Sequence, residues 1–170
     1  MNSPKHYRVF PNVGIADGES GCVEFDALIV GDWAVYLVDI KRLSGRVMID
    51  PNVWTLEDSR SILSPVAGIV NRTKWFAGWL GARQQSSSDC PWCQPFVVVT
   101  GAGTNSPNLF GKGDSLVLAE DQLIDALISC ERLTTARPRK VSDEQREAVV
   151  DAIMDQGNPE SENWEQQWQS

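Results

Sequence analysis

The sequence predicts an α/β domain in which a mixed central sheet, built from an antiparallel meander and later strands, is flanked by helices. Three observations support this class. Two β-rich runs flank a short turn between residues 22 and 41, helical periodicity begins near residue 65, and a continuous apolar run typical of a buried strand follows at 96–100. At 170 residues with 42% hydrophobic content, the chain is long enough for one full core but not for two.

The composition limits the setting and the partners of the chain. It contains no run of about 18 apolar residues and no apolar stretch at the N-terminus that would act as a secretory signal. We therefore expect a cytoplasmic protein with no membrane partner, whose four cysteines stay reduced. The formal net charge of −8 disfavours unspecific attraction to DNA, although part of that charge lies in an acidic C-terminal tail.

Two hairpins are predicted in the first third of the chain. Residues 22–30 and 33–41 are β-rich and are separated by Gly31-Asp32, a pair suited to a two-residue turn. A second hairpin, 46–50 with 53–56, surrounds Pro51-Asn52 and is expected to extend the meander.

The later elements follow from turn residues and apolar spacing. Ser64-Pro65 is typical of a helix start, and Gly81 is expected to end that helix. The predicted order is helix 65–80, polar loop 84–95, buried strand 96–100, surface loop 101–114, strand 115–119 and helix 120–131.

The chain divides into a core and two appendages. We expect the core domain to span residues 1–133. Residues 134–155 then form a linker and a C-terminal helix, which Ser142 and Gln145 begin as a capping box. Residues 156–170 are acidic and polar and are expected to be disordered, because they cannot bury enough apolar surface.

The register of the first hairpin decides which charged side chains meet. A tight turn at Gly31-Asp32 pairs Val30 with Trp33, which sets Glu24 opposite Asp39. Charge is then concentrated at the end of the hairpin that lies away from the turn.

Alternation places the charged side chains of this hairpin together. Glu24 and Asp26 are expected to share a face with Asp39 and Lys41, while Val23, Phe25 and other apolar residues occupy the opposite face. Three carboxylates beside one ammonium need compensation, which Mg²⁺ or Mn²⁺ with oxygen ligands would supply. The alternative is that Asp39 and Lys41 are an ordinary surface pair on an edge strand, since a D-x-K tripeptide alone is a weak motif.

Residues 23–47, VEFDALIVGDWAVYLVDIKRLSGRV, resemble the signature of the nuclease-related (NERD) branch of the PD-(D/E)xK nucleases. In that signature an E-x-D strand precedes a hydrophobic hairpin that ends in an acidic residue, any residue and a lysine, followed by a glycine. The resemblance continues through Trp54, Ser64-Pro65, the FVVVT strand and the SLVLAEDQL junction, and covers about residues 6–131.

The resemblance implies a restriction-endonuclease-like core that hydrolyses DNA phosphodiesters. It implies that Asp26 and Asp39 bind the metal and that Lys41 is catalytic, and we expect Glu24 to be an accessory ligand. It also implies frequent fusion to kinase or helicase modules, some of them in bacterial anti-phage defence systems, so DNA and such modules are the expected partners.

Two departures from the family pattern motivate an alternative function. Only six residues precede Tyr7, which leaves no room for the N-terminal helix that carries an acidic residue in the family. Gly68 stands where the family commonly has a glutamine, so Asn71, Arg72 or Lys74 would have to contact the substrate phosphate. The alternative is a catalytically degenerate domain that binds DNA or a protein partner.

Cys90-Pro91-Trp92-Cys93 leaves a zinc interpretation open. A zinc site needs four ligands, and the chain has one histidine, His6, so other cysteines or a partner chain would have to complete it. We favour the interpretation that the motif belongs to a structural loop.

Trp75 and Trp79 lie one helical turn apart in the predicted helix. Such a pair could stack on bases, but tryptophans at this spacing on an amphipathic helix more often pack into a core, so we favour packing.

Overall fold

The computed structural model describes residues 7–18, 21–84, 90–101, 107–111, 116–132 and 140–156, which form two sheets and three α-helices. The strands are β1 (Arg8–Ala16), β2 (Cys22–Val30), β3 (Ala34–Arg42), β4 (Arg46–Ile49), β5 (Val53–Leu56), β6 (Ser61–Leu63), β7 (Trp92–Thr100), β8 (Asn108–Gly111) and β9 (Val117–Ala119). The helices are α1 (Val66–Gly81), α2 (Leu123–Arg132) and α3 (Asp143–Asp155).

The central sheet has the order β1-β2-β3-β7-β9. Its first three strands are antiparallel, and β3, β7 and β9 run parallel to one another. This arrangement confirms the predicted α/β class with a mixed sheet. None of the helices in the described ranges is long and apolar enough to cross a membrane.

Strand β3 is the middle of the central sheet and is buried on both faces. Residues 34–39 are all buried, because β2 and β7 flank the strand and helices cover the sheet. The predicted buried strand at 96–100 is confirmed as the second half of β7, which pairs with β3 over nine residue positions.

The second predicted hairpin forms where expected but lies in a different sheet. Strands β4 and β5 surround Pro51-Asn52 and join the four-stranded order β6-β5-β4-β8. The prediction that they extend the meander was wrong. The physical reason is that β7 occupies the edge of β3 that β4 would have needed.

Three strands were not predicted from the sequence: β1 at the start of the chain and the short strands β6 and β8. Strand β8 lies inside the predicted surface loop 101–114, and β6 directly precedes the Ser64-Pro65 turn. Each has only three or four residues, too few for a clear alternation. The predicted helices at 65–80 and 120–131 are confirmed as α1 and, after one 3-10 turn, α2.

Two apolar clusters lie on opposite sides of the central sheet. The first core contains Val35 and Leu37 of β3 together with Ile69 and Phe76 of α1. The second core contains the alternate β3 residues, with Leu127 of α2 packed on them. Alternation along β3 therefore assigns α1 to the side on which Asp39 follows Val35 and Leu37.

Helix α3 contributes Val149, Val150 and Ile153 to the first core. The capping box of Ser142 and Gln145 is present as predicted, with Ser142 Oγ accepting from Gln145 N at 3.1 Å. The predicted core boundary at residue 133 and the predicted linker lie largely outside the described residues, as does the tail from residue 157, so these stay predictions.

Arg146 attaches α3 to the turn between β2 and β3. Its guanidinium donates to Asp32 Oδ1 at 2.6 Å and also pairs with Asp143, while Val141 N donates to the carbonyl of Asp32 at 2.8 Å. The Arg146 side chain is 8% exposed, so the attachment is an almost buried ion pair.

Candidate functional site

The β2–β3 turn is longer than a two-residue hairpin. Val30 pairs with Val35, and Gly31 N donates to the carbonyl of Ala34 at 2.9 Å. The predicted pairing of Val30 with Trp33 was therefore wrong. Asp32 lies in this longer turn and accepts hydrogen bonds at its carboxylate from Arg146 of α3 and at its carbonyl from the backbone N of Val141.

The corrected register changes which residues face one another across the hairpin. The shift is two positions, so Asp26 rather than Glu24 lies across from Asp39. The paired ladder ends at Ala27 and Val38, and beyond it Asp26 Oδ2 accepts a hydrogen bond from the backbone N of Ile40 at 2.6 Å. A side chain thus replaces the ladder bond and fixes the Asp26 carboxylate against β3.

The side-chain alternation of β1 and β2 breaks at the level of Asp26. Asn12, which lies opposite Asp26 in the β1–β2 register, has φ +50°. Leu28 and, three residues earlier, Phe25 both pack in the first core. Val23 and Phe25 therefore lie on the α1 side with Asp39, contrary to the predicted opposite face.

This break turns the Glu24 side chain away from the site. Glu24 is exposed between two residues that pack toward α1, so alternation directs its side chain to the other face of the sheet. Its backbone carbonyl does reach the site and accepts a hydrogen bond from Arg72 Nη1 at 2.8 Å. The predicted grouping of three carboxylates is thus reduced to Asp26 and Asp39.

Asp39 is the buried centre of the site, with 4% of its surface exposed. Lys41 Nζ lies 3.1 Å from its Oδ1, and an Arg72 guanidinium nitrogen lies 3.1 Å from its Oδ2. Burial raises the pKa of Asp39 above its usual range, and the neighbouring Asp26 carboxyl acts in the same direction, while the Lys41 and Arg72 side chains lower it.

The charges of the site balance without any added ion. Asp26 and Asp39 supply two negative charges, and Lys41 and Arg72 supply two positive ones. The predicted need for a divalent cation rested on three carboxylates and one ammonium. Arg72 supplies part of that compensation from within the chain.

The donor set nevertheless fits a small divalent cation. Asp26 and Asp39 are hard oxygen ligands on adjacent strands, and the guanidinium on Asp39 Oδ2 shows that a positive group is accommodated there. Among the residues that the structure describes, no group of three or more His, Cys, Asp or Glu side chains comes together. A metal held here would complete its shell with water or substrate oxygens, as Mg²⁺ commonly does.

Comparison with known families gives one match. A family model described as NERD, nuclease-related domain, matches residues 1–100. The chain belongs to the NERD family. The comparisons with curated proteins and with solved structures gave no match.

The match covers residues 1–100, which end with the last residue of β7, and it includes every residue of the site. The family membership establishes a nuclease-related domain with the restriction-endonuclease-like fold that the resemblance implied. Proteins of this superfamily generally use divalent metals, which agrees with the oxygen donors at Asp26 and Asp39.

Helix α1 of the NERD domain brings one of three predicted substrate-binding residues to the site. Arg72 contacts Asp39 and Glu24, whereas Asn71 and Lys74 are exposed on the same helix. Residues one or two positions apart on a helix point in different directions, so Arg72 alone faces the sheet.

The ion pair between Arg72 and Asp39 was not predicted from the sequence. The spacing of Arg72 along the helix could have indicated this ion pair. Arg72 lies three residues after buried Ile69 and four before buried Phe76, which places it on the apolar stripe of α1. A charged residue on such a stripe needs a charged or polar neighbour.

The C-x-x-C motif of the NERD domain enters β7 rather than lying wholly in a loop. Cys90 Sγ donates to the Ala77 carbonyl of α1, and Cys93, the second residue of β7, packs against the first core. Burial raises the pKa of Cys93 to about 12, and it also raises the pKa of Cys90. The zinc interpretation stays the less favoured alternative.

Trp75 and Trp79 pack against each other, as expected. Their stacked rings have 6.4 Å between centres, and Trp79 is 8% exposed. The guanidinium carbon of Arg83 lies 4.3 Å from the centre of the Trp79 ring. The pair therefore belongs to the packing of α1.

Proposed function

We propose that this NERD domain is a metal-dependent DNA endonuclease or nicking enzyme that hydrolyses phosphodiesters with Mg²⁺ or Mn²⁺. The observation that carries the proposal is the convergence of Asp26, Asp39 and Lys41 where β2 and β3 separate. The nuclease-related family supports the reaction class.

Each residue of the site has a role that follows from its position. Asp26 and Asp39 would hold the cation, because their carboxylates lie side by side at the end of the paired ladder. A bound divalent cation would lower the pKa of an attacking water and polarise the phosphate. Lys41, whose side chain is 36% exposed, can orient that water or offset charge that develops on the phosphate.

The segment that follows Asp39 is more basic than the chain as a whole. Residues 40–83 contain seven Lys or Arg against three Asp or Glu, a net charge of +4 within a chain of −8. This segment includes the end of β3 and all of α1, which flank Asp39. Lys and Arg side chains of this segment can contact DNA phosphates even though the whole protein is acidic.

The direct test is cleavage of supercoiled plasmid and linear DNA with Mg²⁺, Mn²⁺ or EDTA. We expect metal-dependent nicking that falls by about 100-fold or more in Asp39→Ala, which loses a metal ligand, and in Lys41→Ala, which loses a positive charge beside the reacting phosphate. Asp58→Ala and Lys140→Ala are matched controls at exposed positions. Unchanged cleavage in both site variants would sink the proposal, and circular dichroism confirms that they remain folded.

A second candidate is a catalytically degenerate domain that binds DNA or a protein partner. The observation that favours it is the neutral site, in which both oxygens of Asp39 already contact cationic side chains. Calorimetry distinguishes the two functions. The enzyme binds Mn²⁺ and loses the signal in Asp26→Ala, whereas the binding module gives no Mn²⁺ signal in either protein.

A role in anti-phage defence, with a kinase or helicase module as partner, is the biological setting that the family resemblance suggests. A plaque assay tests it. We expect wild-type protein, but not Lys41→Ala, to reduce phage plating when expressed together with its genomic neighbours.

A further inference from the structure

Arg72 joins three structural elements at the site. One guanidinium nitrogen lies 3.1 Å from Asp39 Oδ2 on β3, and another donates to the Glu24 carbonyl on β2 at 2.8 Å. The guanidinium carbon lies 5.9 Å from the centre of the Phe25 ring. The Arg72 side chain is 31% exposed, so one side of this cation remains open to solvent.

Arg72 and a metal ion compete for the same carboxylate. Asp39 Oδ1 already contacts Lys41, so Oδ2 is the oxygen that Arg72 holds. A divalent cation bound at Asp39 would lie within a few ångströms of a fixed guanidinium, and like charges at that distance repel strongly when partly shielded from water. Metal binding at Asp39 therefore favours the departure of Arg72.

The substrate offers Arg72 an alternative partner. The planar guanidinium forms paired hydrogen bonds with phosphate oxygens as readily as with a carboxylate. Because Arg72 is partly exposed beside the site, a DNA phosphate that approaches Asp39 also approaches Arg72. Exchange from Asp39 to the phosphate keeps the arginine paired throughout.

We propose that Arg72 is an internal counter-ion that exchanges between Asp39 and a DNA phosphate and so regulates metal binding at this site. Without DNA, Arg72 neutralises Asp39 and weakens the binding of metal. With DNA, the phosphate takes the guanidinium and Asp39 Oδ2 becomes available. This inference rests on the proposed nuclease function, and it assigns to Arg72 a positioning role rather than a catalytic one.

The proposal predicts opposite effects of one substitution on two ligands. Arg72→Gln removes the competing charge, so the affinity for Mn²⁺ alone is expected to rise by about 5-fold or more, within the usual range of coupling between sites. The same variant loses a phosphate contact, so its affinity for a labelled DNA duplex in EDTA is expected to fall. An arginine that only pairs with Asp39 and never contacts DNA would leave the DNA affinity of the variant unchanged.

The experiment measures Mn²⁺ binding by calorimetry and DNA binding by fluorescence anisotropy, with the melting temperature of each variant as a check on folding. Arg8→Gln is the matched control, because Arg8 forms an exposed ion pair with Glu147 at 3.5 Å. Arg72→Lys is the conservative variant: one ammonium keeps the charge without the planar fork, so a smaller rise in Mn²⁺ affinity is expected.

The outcomes separate this inference from the proposed function. Tighter Mn²⁺ binding with weaker DNA binding in Arg72→Gln, and neither change in Arg8→Gln, supports the counter-ion role. Equal or weaker Mn²⁺ binding than in wild type, when the wild-type signal depends on Asp26, overturns the role of Arg72 but leaves the metal site intact. Absence of Mn²⁺ binding in wild type, Arg72→Gln and Arg72→Lys overturns both. If Arg72→Gln does not fold, Arg72→Lys decides the question.

Discussion

Asp39 combines burial with three ionisable neighbours. Its side chain is 6% exposed, and Lys41, Arg72 and Asp26 all act on its ionisation. Because burial raises the pKa of Asp39 above its ordinary value of 3.8, the folded chain binds this proton more tightly than the unfolded chain does. Protonation of Asp39 therefore favours the folded state.

The raised pKa of Asp39 predicts how the stability of the metal-free protein, measured in EDTA, changes with pH. As the pH rises from about 3.8 through the raised pKa of Asp39, the wild type should lose free energy of unfolding relative to Asp39→Asn, which cannot titrate at this position. Urea unfolding of both proteins across this range measures the difference. A difference that stays constant or changes with the opposite sign would contradict the prediction.

Cysteine reactivity is a second prediction at the scale of single residues. With a pKa near 12 in place of the ordinary 9.0, Cys93 has about 1000-fold less thiolate than an ordinary cysteine at pH 8. Cys22 is exposed and serves as the internal reference. Peptide mapping after iodoacetamide treatment should find Cys22 modified first, with Cys93 modified only on unfolding. Comparable rates at the two cysteines would show that Cys93 is accessible in the folded chain.

The candidate site could be predicted in part at this scale. The sequence correctly brought Asp26, Asp39 and Lys41 together, because an error of two positions in register leaves every side chain on its face. Glu24 was misplaced because the alternation breaks opposite Asn12, and a single residue with positive φ leaves no periodic trace. The place of Arg72 depended on the docking of α1, which local patterns do not specify.

Helix α1 carries Arg72 to the sheet, and its position depends on aromatic packing. Phe76 is fully buried and meets the Phe25 ring of β2 edge to face, with 5.7 Å between ring centres. The same Phe25 lies beneath the Arg72 guanidinium. The packing of α1 on β2 and the ion pair with Asp39 therefore reinforce each other.

Phe76→Ala is expected to cost about 3–5 kcal/mol of the free energy of unfolding, as is typical of a large buried aromatic side chain. Lys74→Ala, on the exposed face of the same helix, should change it by less than about 0.5 kcal/mol. Urea denaturation of the two variants tests the comparison. Similar costs for both would show that α1 is not anchored through Phe76.

Helices and strands with strong local sequence patterns were predicted well, but the neighbouring strands with which they pair were not. Hydrophobic spacing and turn residues located α1, β7 and the β4–β5 hairpin to within a few residues. The assignment of β4 and β5 to a second sheet depends on β7 pairing with β3, and those strands are separated by about 50 residues of chain. Such choices are made by competition for sheet edges rather than by local sequence.

At the scale of the whole molecule, Arg146 and Asp32 join the C-terminal helix to the central hairpin. These residues are 114 positions apart in the sequence, and their side chains are 8% and 21% exposed. The capping box predicted α3 itself. Nothing near residue 146 predicted where the helix would dock, because the partner lies in a turn near the start of the chain.

Removal of one member of this pair leaves a poorly solvated charge behind. We expect Arg146→Met to cost about 1–3 kcal/mol of the free energy of unfolding, and the double variant with Asp32→Asn to cost less than the sum of the single variants. The exposed pair of Arg8 and Glu147 is the control and should contribute at most about 1 kcal/mol. Strict additivity in the double-mutant cycle would contradict an energetic link between α3 and the turn.

The contribution of α3 to the first core also has a consequence during synthesis. Val149, Val150 and Ile153 leave the ribosome after the whole site and the whole central sheet. At ordinary rates of translation, the 55 residues that separate Thr100 from Asp155 take roughly 3–11 s to make. For that interval the nascent chain carries its site-forming strands without the apolar residues of α3, and exposed apolar surface of this kind is prone to aggregation.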